Sequence, residues 1–386
     1  MNVVQIGFGF DEDLASPEAL LARYGTLTGW SDALVGAGAR VTVVHRFRRD
    51  DRCARNGVDY IFQEAGSAGR TLWSRSAKLR RVLATLRPDI AHINGLTFPL
   101  QTWLLRRALP APTALVVQDH ATGAPAERGS PPIRSLRHLV RRFAMQAPDG
   151  FLFAAAEQAE PWRRAGLIAA RQGVYPVMEA STHLRPMPRD EARARSSVDG
   201  RPAVLWVGRL NPNKDPLTVL DGFERALAHL PDASLTMLYG ADDLLPAIND
   251  RLRRSASLAR RVRLVGRVPH HEMTAFYGAA DIFALGSHHE GSGYAALEAC
   301  ACGLSPVVTD IPAFRVITAA GSLGALWTPG DASAFAAALV DVGRRDLPGE
   351  RRRIGDHFER ALSWSAVGRR AMTIYEEVVA RRRERD

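Results

Sequence analysis

Two doubly wound α/β domains in tandem are the architecture this sequence predicts. Short apolar runs rich in Val and Ile alternate with longer stretches of helical periodicity, as in strand–helix–strand units. The runs are apolar throughout rather than alternating, which suits strands covered on both faces of a parallel sheet. The chain has 386 residues, enough for two domains at roughly 100–200 residues each.

In the first half, residues 3–7, 41–45, 90–93, 114–118 and 151–154 read as strands, with helices at 31–36 and 76–86 among the intervening segments. In the second half, 204–207, 234–239, 262–265, 282–285 and 305–309 read as strands, and 217–229, 244–256, 272–279 and 295–302 as helices. Residues 176–201 hold three prolines, several charges and little apolar periodicity, and read as a linker. The first domain is therefore placed at 1–180 and the second at 181–365. In such sheets ligands bind outside the carboxyl ends of the strands, and two of them facing each other form a cleft.

Composition narrows the class. Hydrophobic residues make up 46% and charged residues 24%, ordinary values for a globular protein. No run reaches the ~18 apolar residues of a membrane span. The start, MNVVQIGFGFDED, lacks a basic n-region and turns acidic at once, unlike a signal peptide. The cysteines are Cys53, Cys300 and Cys302, and a C-x-C spacing closes no easy disulfide. A reducing, cytoplasmic setting is expected. The net charge of +10 fits a phosphorylated ligand, nucleic acid or an anionic membrane, and equally fits arginines on solvated helix faces. The densest basic runs lack the interleaved aromatics that single-stranded nucleic acid requires.

Two constellations carry chemistry. Just past the strand 204–207 stand Arg209 and, five residues on, Lys214, in the loop entering the next helix. Fixed cations there stabilise the charge that develops on a diphosphate leaving group without needing a metal. Taken alone, the pair also suits a solvated loop. The second constellation, Ser287-His288-His289-Glu290-Gly291-Ser292-Gly293-Tyr294 running on to Glu298, follows the strand 282–285. Gly291 and Gly293 let backbone approach a ligand, and the helix that follows aims its first N–H groups at phosphate. Glu298 is placed to accept hydrogen bonds from ribose or sugar hydroxyls, and Glu290 from the transferred sugar. Each glutamate alone also fits a loop or a helix salt bridge.

Residues 204–306 resemble the family 4 retaining glycosyltransferases of the GT-B fold. The resemblance rests on V-G-R-L-x-x-x-K ending at Lys214, V-G-R-V-P ending at Pro269, F-Y-x-x-A-D ending at Asp281, the E-x7-E pair Glu290 and Glu298, and A-C-G-x-x-P-V-V ending at Val308, in family order and spacing. It continues more weakly through Leu362-Ser363-Trp364 to a final helix, about 366–386, expected to cross back onto the first domain. The resemblance implies two Rossmann-like domains facing across a cleft and a metal-independent reaction with no cofactor beyond a nucleotide diphosphate sugar, uridine-linked as the first guess. Arg209 and Lys214 would bind the diphosphate, Glu298 the ribose and Glu290 the donor sugar. Backbone from Gly291 to Tyr294, Ser292 and Gly293 included, would contact phosphate and sugar, with Arg267 and Val268 by the base. In the first domain, His120, following Asp119 at the end of the strand 114–118, would contact the donor sugar; a histidine there is also a common structural hydrogen-bonder.

The sequence departs from the family in two places. The family's Gly-Gly loop after the first strand is missing, and Tyr24 to Gly29 is its nearest counterpart, which makes Gly25, Thr26 and Thr28 with Asp119 the acceptor-side candidates. The family's E-G-F-G reads E-G-S-G, with Ser292 in place of an aromatic. Other signals are weaker. Gly7-Phe8-Gly9 lacks the third glycine of a dinucleotide fingerprint, since Glu12 occupies its place. Asp11-Glu12-Asp13 reads as a solvated acidic loop. The pairs His270-His271 and His288-His289 lack the spacing that fixes a metal.

The expected activity is a retaining hexosyltransferase acting on an unidentified hydroxyl acceptor, with no nucleic-acid partner. A nucleotide-sugar epimerase of the same fold and a non-catalytic basic binding protein are the alternatives. The arginine runs keep peripheral contact with the inner face of a membrane open, and no amphipathic helix stands out to anchor it.

Overall fold

A computed structural model describes residues 1–65, 73–120 and 130–384. The chain divides into two compact units, one formed by Met1–Ala180 with Trp364–Asp386 and the other by Ser181–Ser363.

The first unit is built on eight strands: β1 (Asn2–Gly7), β2 (Arg40–Phe47), β3 (Asp51–Arg55), β4 (Val58–Glu64), β5 (Ile90–Asn94), β6 (Ala114–Gln118), β7 (Gly150–Phe153) and β8 (Gly173–Pro176). Their order is β3-β4-β2-β1-β5-β6-β7-β8, parallel except for the β3–β4 hairpin. β1 pairs with β2 on one side and β5 on the other, Val3 facing Val41 and Ile90, so the winding reverses between β1 and β5. The expected strands sit within a residue or two of their places. β3, β4 and β8 are additions, as is the strand Ala325–Trp327 of the second unit. Asn56 and Gly57 join β3 to β4 with φ of 52° and 79°, the two positive values a type I′ hairpin needs.

The core of this sheet is Val4, Ile6, Ile93, Val117, Phe151 and Phe153, closed by Trp162. On the other face lie the helix Gly25–Gly36 and the chain-terminal helix Trp364–Arg383. The two helices touch backbone to ring. A Cβ on Gly29 would overlap the Trp364 ring, and one on Gly368 would overlap the Ala33 carbonyl. Beneath them sits a polar cluster. The Trp30 indole N–H donates to the Tyr375 hydroxyl at 3.3 Å, which leaves the Tyr375 O–H to donate to His92 Nδ1 at 2.7 Å. Burial drives His92 down to about 3, the pairing of a neutral ring with a hydroxyl donor.

The second unit has six parallel strands: β9 (Ala203–Gly208), β10 (Ser234–Tyr239), β11 (Val262–Gly266), β12 (Ile282–Leu285), β13 (Ser305–Thr309) and β14 (Ala325–Trp327). Their order is β11-β10-β9-β12-β13-β14, so the winding reverses between β9 and β12. Trp206, Phe223 and Phe283 are fully buried around this sheet. Residues 176–201 are not a free linker. Pro176 ends β8, and the helix Arg189–Ser196 packs on the second unit. Arg189 Nη2 donates to Asp281 Oδ2 at 2.9 Å, and that buried oxygen also accepts the Ala203 amide at 2.9 Å. The charges that suggested a solvated segment are ion-pair partners.

Candidate active site

In the second unit the site forms where the winding reverses, at the carboxyl ends of β9 and β12, the ligand position of doubly wound sheets. Arg209 is the first residue past β9, and it is exposed. The chain then turns on Asn211, whose side-chain oxygen accepts the Lys214 amide at 3.1 Å. Asp215, at φ 43°, accepts from Thr218 N at 3.3 Å and caps the helix Pro216–Ala226. Lys214 is thereby held at the mouth of the sheet.

Past β12 a second loop folds over the first. Asn213 ties the two together: its carbonyl accepts the His288 amide at 2.8 Å, its side-chain oxygen the His289 amide at 3.1 Å, and its Nδ2 donates to the His289 carbonyl at 3.1 Å. Gly286 permits the approach, since a Cβ there would stand 2.9 Å from the Asp215 carbonyl oxygen. Lys214 Nζ forms an ion pair with Glu290 Oε1, which also accepts from Ser287 Oγ at 2.7 Å. Their side chains are only 15% and 11% exposed, so the pair is largely shielded from water. Gly293 takes φ 67° as the N-cap of the helix Tyr294–Ala301, and a Cβ there would lie 2.7 Å from the Phe314 ring. The Ala296 and Leu297 amides bond the Gly293 carbonyl, and the amides of Tyr294 and Ala295 stand ahead of that first turn. Ser292 is buried beside Gly293.

Glu298 is 4% exposed on the inner side of that helix. Tyr277 donates its hydroxyl to Oε2 at 2.9 Å, and His270 Nε2 lies 2.7 Å from Oε1. Burial raises the Glu298 carboxyl above its usual range, and the bonds from His270 and Tyr277 pull it partly back. Arg267, exposed, and Val268 lie in the turn between β11 and His270. Thus Arg209, Lys214, Glu290, Gly291 to Tyr294 and Glu298 gather on neighbouring loops of one unit, with Arg267 and Val268 on the loop that leads into His270. His270, Tyr277 and Asn213 are partners that motif reading passed over. His288 pairs with Asp215, 3.2 Å from Nε2 to Oδ2.

In the first unit a cavity of about 320 Å³ opens at its own reversal point, lined by Gly7, Gly9, Thr26, Asn94, His120 and Glu179 among others. His120 Nδ1 lies 3.0 Å from Glu179 Oε2. Tyr24 to Gly29 is not a loop: the helix begins at Gly25. Of the acceptor-side candidates, Thr26 lines the cavity. Gly25, Thr28 and Asp119 are not in its lining. Thr28 is buried and donates to the Gly25 carbonyl at 3.2 Å, and Asp119, the first residue past β6, is buried. The glycines that do line the cavity are Gly7 and Gly9 at the end of β1. Their signal was the G-x-G itself, read only against a dinucleotide fingerprint.

Residues 26–178 match the family model described as "Glycosyl transferase 4-like domain", and residues 201–344 match "Glycosyl transferases group 1". The chain is 32% identical over 213 residues to a D-inositol 3-phosphate glycosyltransferase of Mycolicibacterium gilvum, covering 54% of this chain and 46% of that one. It is 31% identical over 179 residues to a phosphatidyl-myo-inositol mannosyltransferase of Mycobacterium leprae, covering 45% and 46%. The matched stretch spans about half the length of these two curated relatives. Sucrose-phosphate synthase of Thermosynechococcus elongatus superposes with a TM-score of 0.65 at 20% identity, over 98% of this chain and 99% of that one. Two parallel α/β sheets of this order define the GT-B architecture. The chain belongs to the glycosyltransferases of that fold, and family 4 is the family that fits. No helix among the described residues is long and apolar enough to cross a membrane.

Proposed function

We propose that the protein transfers a hexosyl group from a nucleotide diphosphate sugar to a hydroxyl acceptor, with retention at the anomeric carbon and without a metal. The observation that carries the reading is the Lys214–Glu290 ion pair beside Arg209 at the β9/β12 reversal. As the sugar–phosphate bond breaks, negative charge grows on the diphosphate. Arg209 and Lys214 stabilise it with fixed positive charge, the part a divalent cation plays in other transferases. The amides ahead of Tyr294 add the positive end of a helix. Glu290, fixed by its ion pair with Lys214, accepts hydroxyls of the donor sugar, and Glu298 accepts the ribose hydroxyls. Among the described residues no carboxylate stands as an obvious nucleophile, so the leaving phosphate takes the acceptor proton on the face from which it departs. In the first unit His120, its Nδ1 3.0 Å from Glu179 Oε2, lines that unit's own cavity and is the candidate sugar-binding residue there. Family membership favours neither the epimerase nor the non-catalytic alternative.

A thermal-shift panel of uridine, guanosine and adenosine diphosphate sugars tests the donor. One sugar should raise Tm by several degrees at 100-fold excess over its Kd, equivalent to about 2.7 kcal/mol. Product mass on acceptors then tests the reaction, starting with inositol phosphates and phosphatidylinositol because relatives carry inositol in their names. Sugar consumed without an acceptor points to the epimerase; no shift with any nucleotide sugar removes the proposal.

Glu298 gives the binding a pH dependence. Only its ionised form accepts from both ribose hydroxyls, and its carboxyl titrates above the ordinary glutamate value of 4.5. Nucleotide affinity should therefore begin to weaken, as pH falls, at a higher pH than a solvent-exposed glutamate produces. Glu298→Gln should cost about tenfold in Kd, roughly 1.4 kcal/mol, and flatten the profile. Titration calorimetry between pH 5 and 8 decides it; an unchanged profile in Glu298→Gln assigns the dependence elsewhere.

A further inference from the structure

The helix Pro131–Ala144 in the first unit wears its apolar face outward. Ile133, Leu136, Leu139, Val140 and Phe143 are 47%, 62%, 61%, 45% and 60% exposed, while Arg141 and His138 on the other side are partly covered. At ~100° per residue the five apolar side chains fill an arc of about 120°. A surface helix ordinarily turns that arc to the core. Phe143 meets the Trp103 ring at 5.6 Å between centroids, and the Arg107 guanidinium lies 3.6 Å over Trp103, so the apolar strip continues onto the helix Pro99–Arg106, where Leu100 is exposed as well. Arg137 and Arg142 stand along the two borders of the arc, Arg134, His138 and Arg141 lie behind it, and no acidic residue occurs between 130 and 148.

We infer that this face is an interfacial docking surface for an anionic lipid bilayer. Apolar side chains along one arc with arginines along its borders match the two layers of such a surface. The side chains enter the acyl boundary while the guanidinium groups remain among phosphate head groups. Charge complementarity selects the occupant. A second copy of the helix would bring its own arginines against these with no acid to meet them, whereas anionic lipid supplies the opposite charge. The net charge of +10 acts in the same direction. The inference stands on this helix alone and is independent of the reaction proposed above.

Co-sedimentation of the full chain with sucrose-loaded vesicles tests it. Partition onto phosphatidylglycerol-containing vesicles should exceed that onto pure phosphatidylcholine by at least ~10-fold and fall with added salt. Leu136→Ser, Leu139→Ser and Phe143→Ser combined should lower binding to the anionic vesicles by ~10-fold or more while the circular dichroism spectrum and Tm hold. Arg137→Ser with Arg142→Ser, which leaves the apolar arc whole, should reduce the preference for anionic lipid. Three results would each overturn the proposal: wild-type protein that stays in the supernatant, a triple variant that sediments like wild type, or a concentration-dependent dimer that the triple variant abolishes in protein showing no vesicle binding.

Discussion

Glu290→Ala is expected to lower turnover by about 10²–10³-fold while leaving nucleotide diphosphate affinity within a few-fold of wild type. Oε1 of the carboxylate accepts from Lys214 Nζ and from Ser287 Oγ, which fixes the group in place. Removing it withdraws the acceptor for the sugar hydroxyls and frees a half-buried ammonium to swing. The leaving diphosphate still meets Arg209 and the helix start. Lys214→Ala should behave differently. It removes a cation from the diphosphate and takes the ion-pair partner from Glu290, whose side chain is only 11% exposed. Both affinity and turnover should fall. Because the two residues act as one unit, the double variant should be little worse than the poorer single variant. Steady-state kinetics with the donor found by thermal shift, together with calorimetry using the free nucleotide, reads all three. Turnover of Glu290→Ala within about threefold of wild type removes this residue from the mechanism.

The two sheets and the loops of the second unit were legible because each signal is local. A run such as Val204–Val207 suits a covered strand, and a cation at its carboxyl end stands on the ligand side of a doubly wound sheet. The partners that complete the site were not legible, because they come from distant segments. Asn213 reaches His288, and His270 and Tyr277 reach Glu298, by contacts that depend on how β9, β11 and β12 lie side by side. The G-x-G after β1 was visible, but its meaning depended on which loops surround the cavity. The Asn56-Gly57 hairpin was a readable turn signal, obscured by the charged edge strand β3. The apolar residues of the helix Pro131–Ala144 show helical spacing in the sequence. Periodicity shows that a face exists; only the fold shows that it turns outward.

A chain ended at Ser363 is expected to lose the fold of the first unit and keep that of the second. The first unit draws its closing element from the far end of the chain, the helix Trp364–Arg383. That helix buries Trp364, Val367, Ile374, Tyr375, Val378 and Val379. At roughly 1.5–3 kcal/mol for each large apolar side chain, the loss is of order 10 kcal/mol, comparable to the ~5–15 kcal/mol that holds a whole domain together. The removal also uncovers polar atoms. His92 loses its hydroxyl donor and Trp30 its acceptor, both in the interior. Nothing equivalent is taken from the second unit, whose sheet and Lys214–Glu290 pair lie wholly within Ser181–Ser363. Gly368→Leu, which drives a side chain into the Ala33 carbonyl, is the milder form of the same lesion and should cost about 1–3 kcal/mol or more. Urea unfolding of the full chain followed by fluorescence and nucleotide binding should then show the first-unit transition moving to lower urea in Gly368→Leu. In the truncated chain that transition should be missing, while the second-unit transition and nucleotide affinity remain. Simultaneous loss of both transitions on truncation would mean that the second unit depends on the first for its fold, and that the division of stability drawn from the two separate cores is wrong.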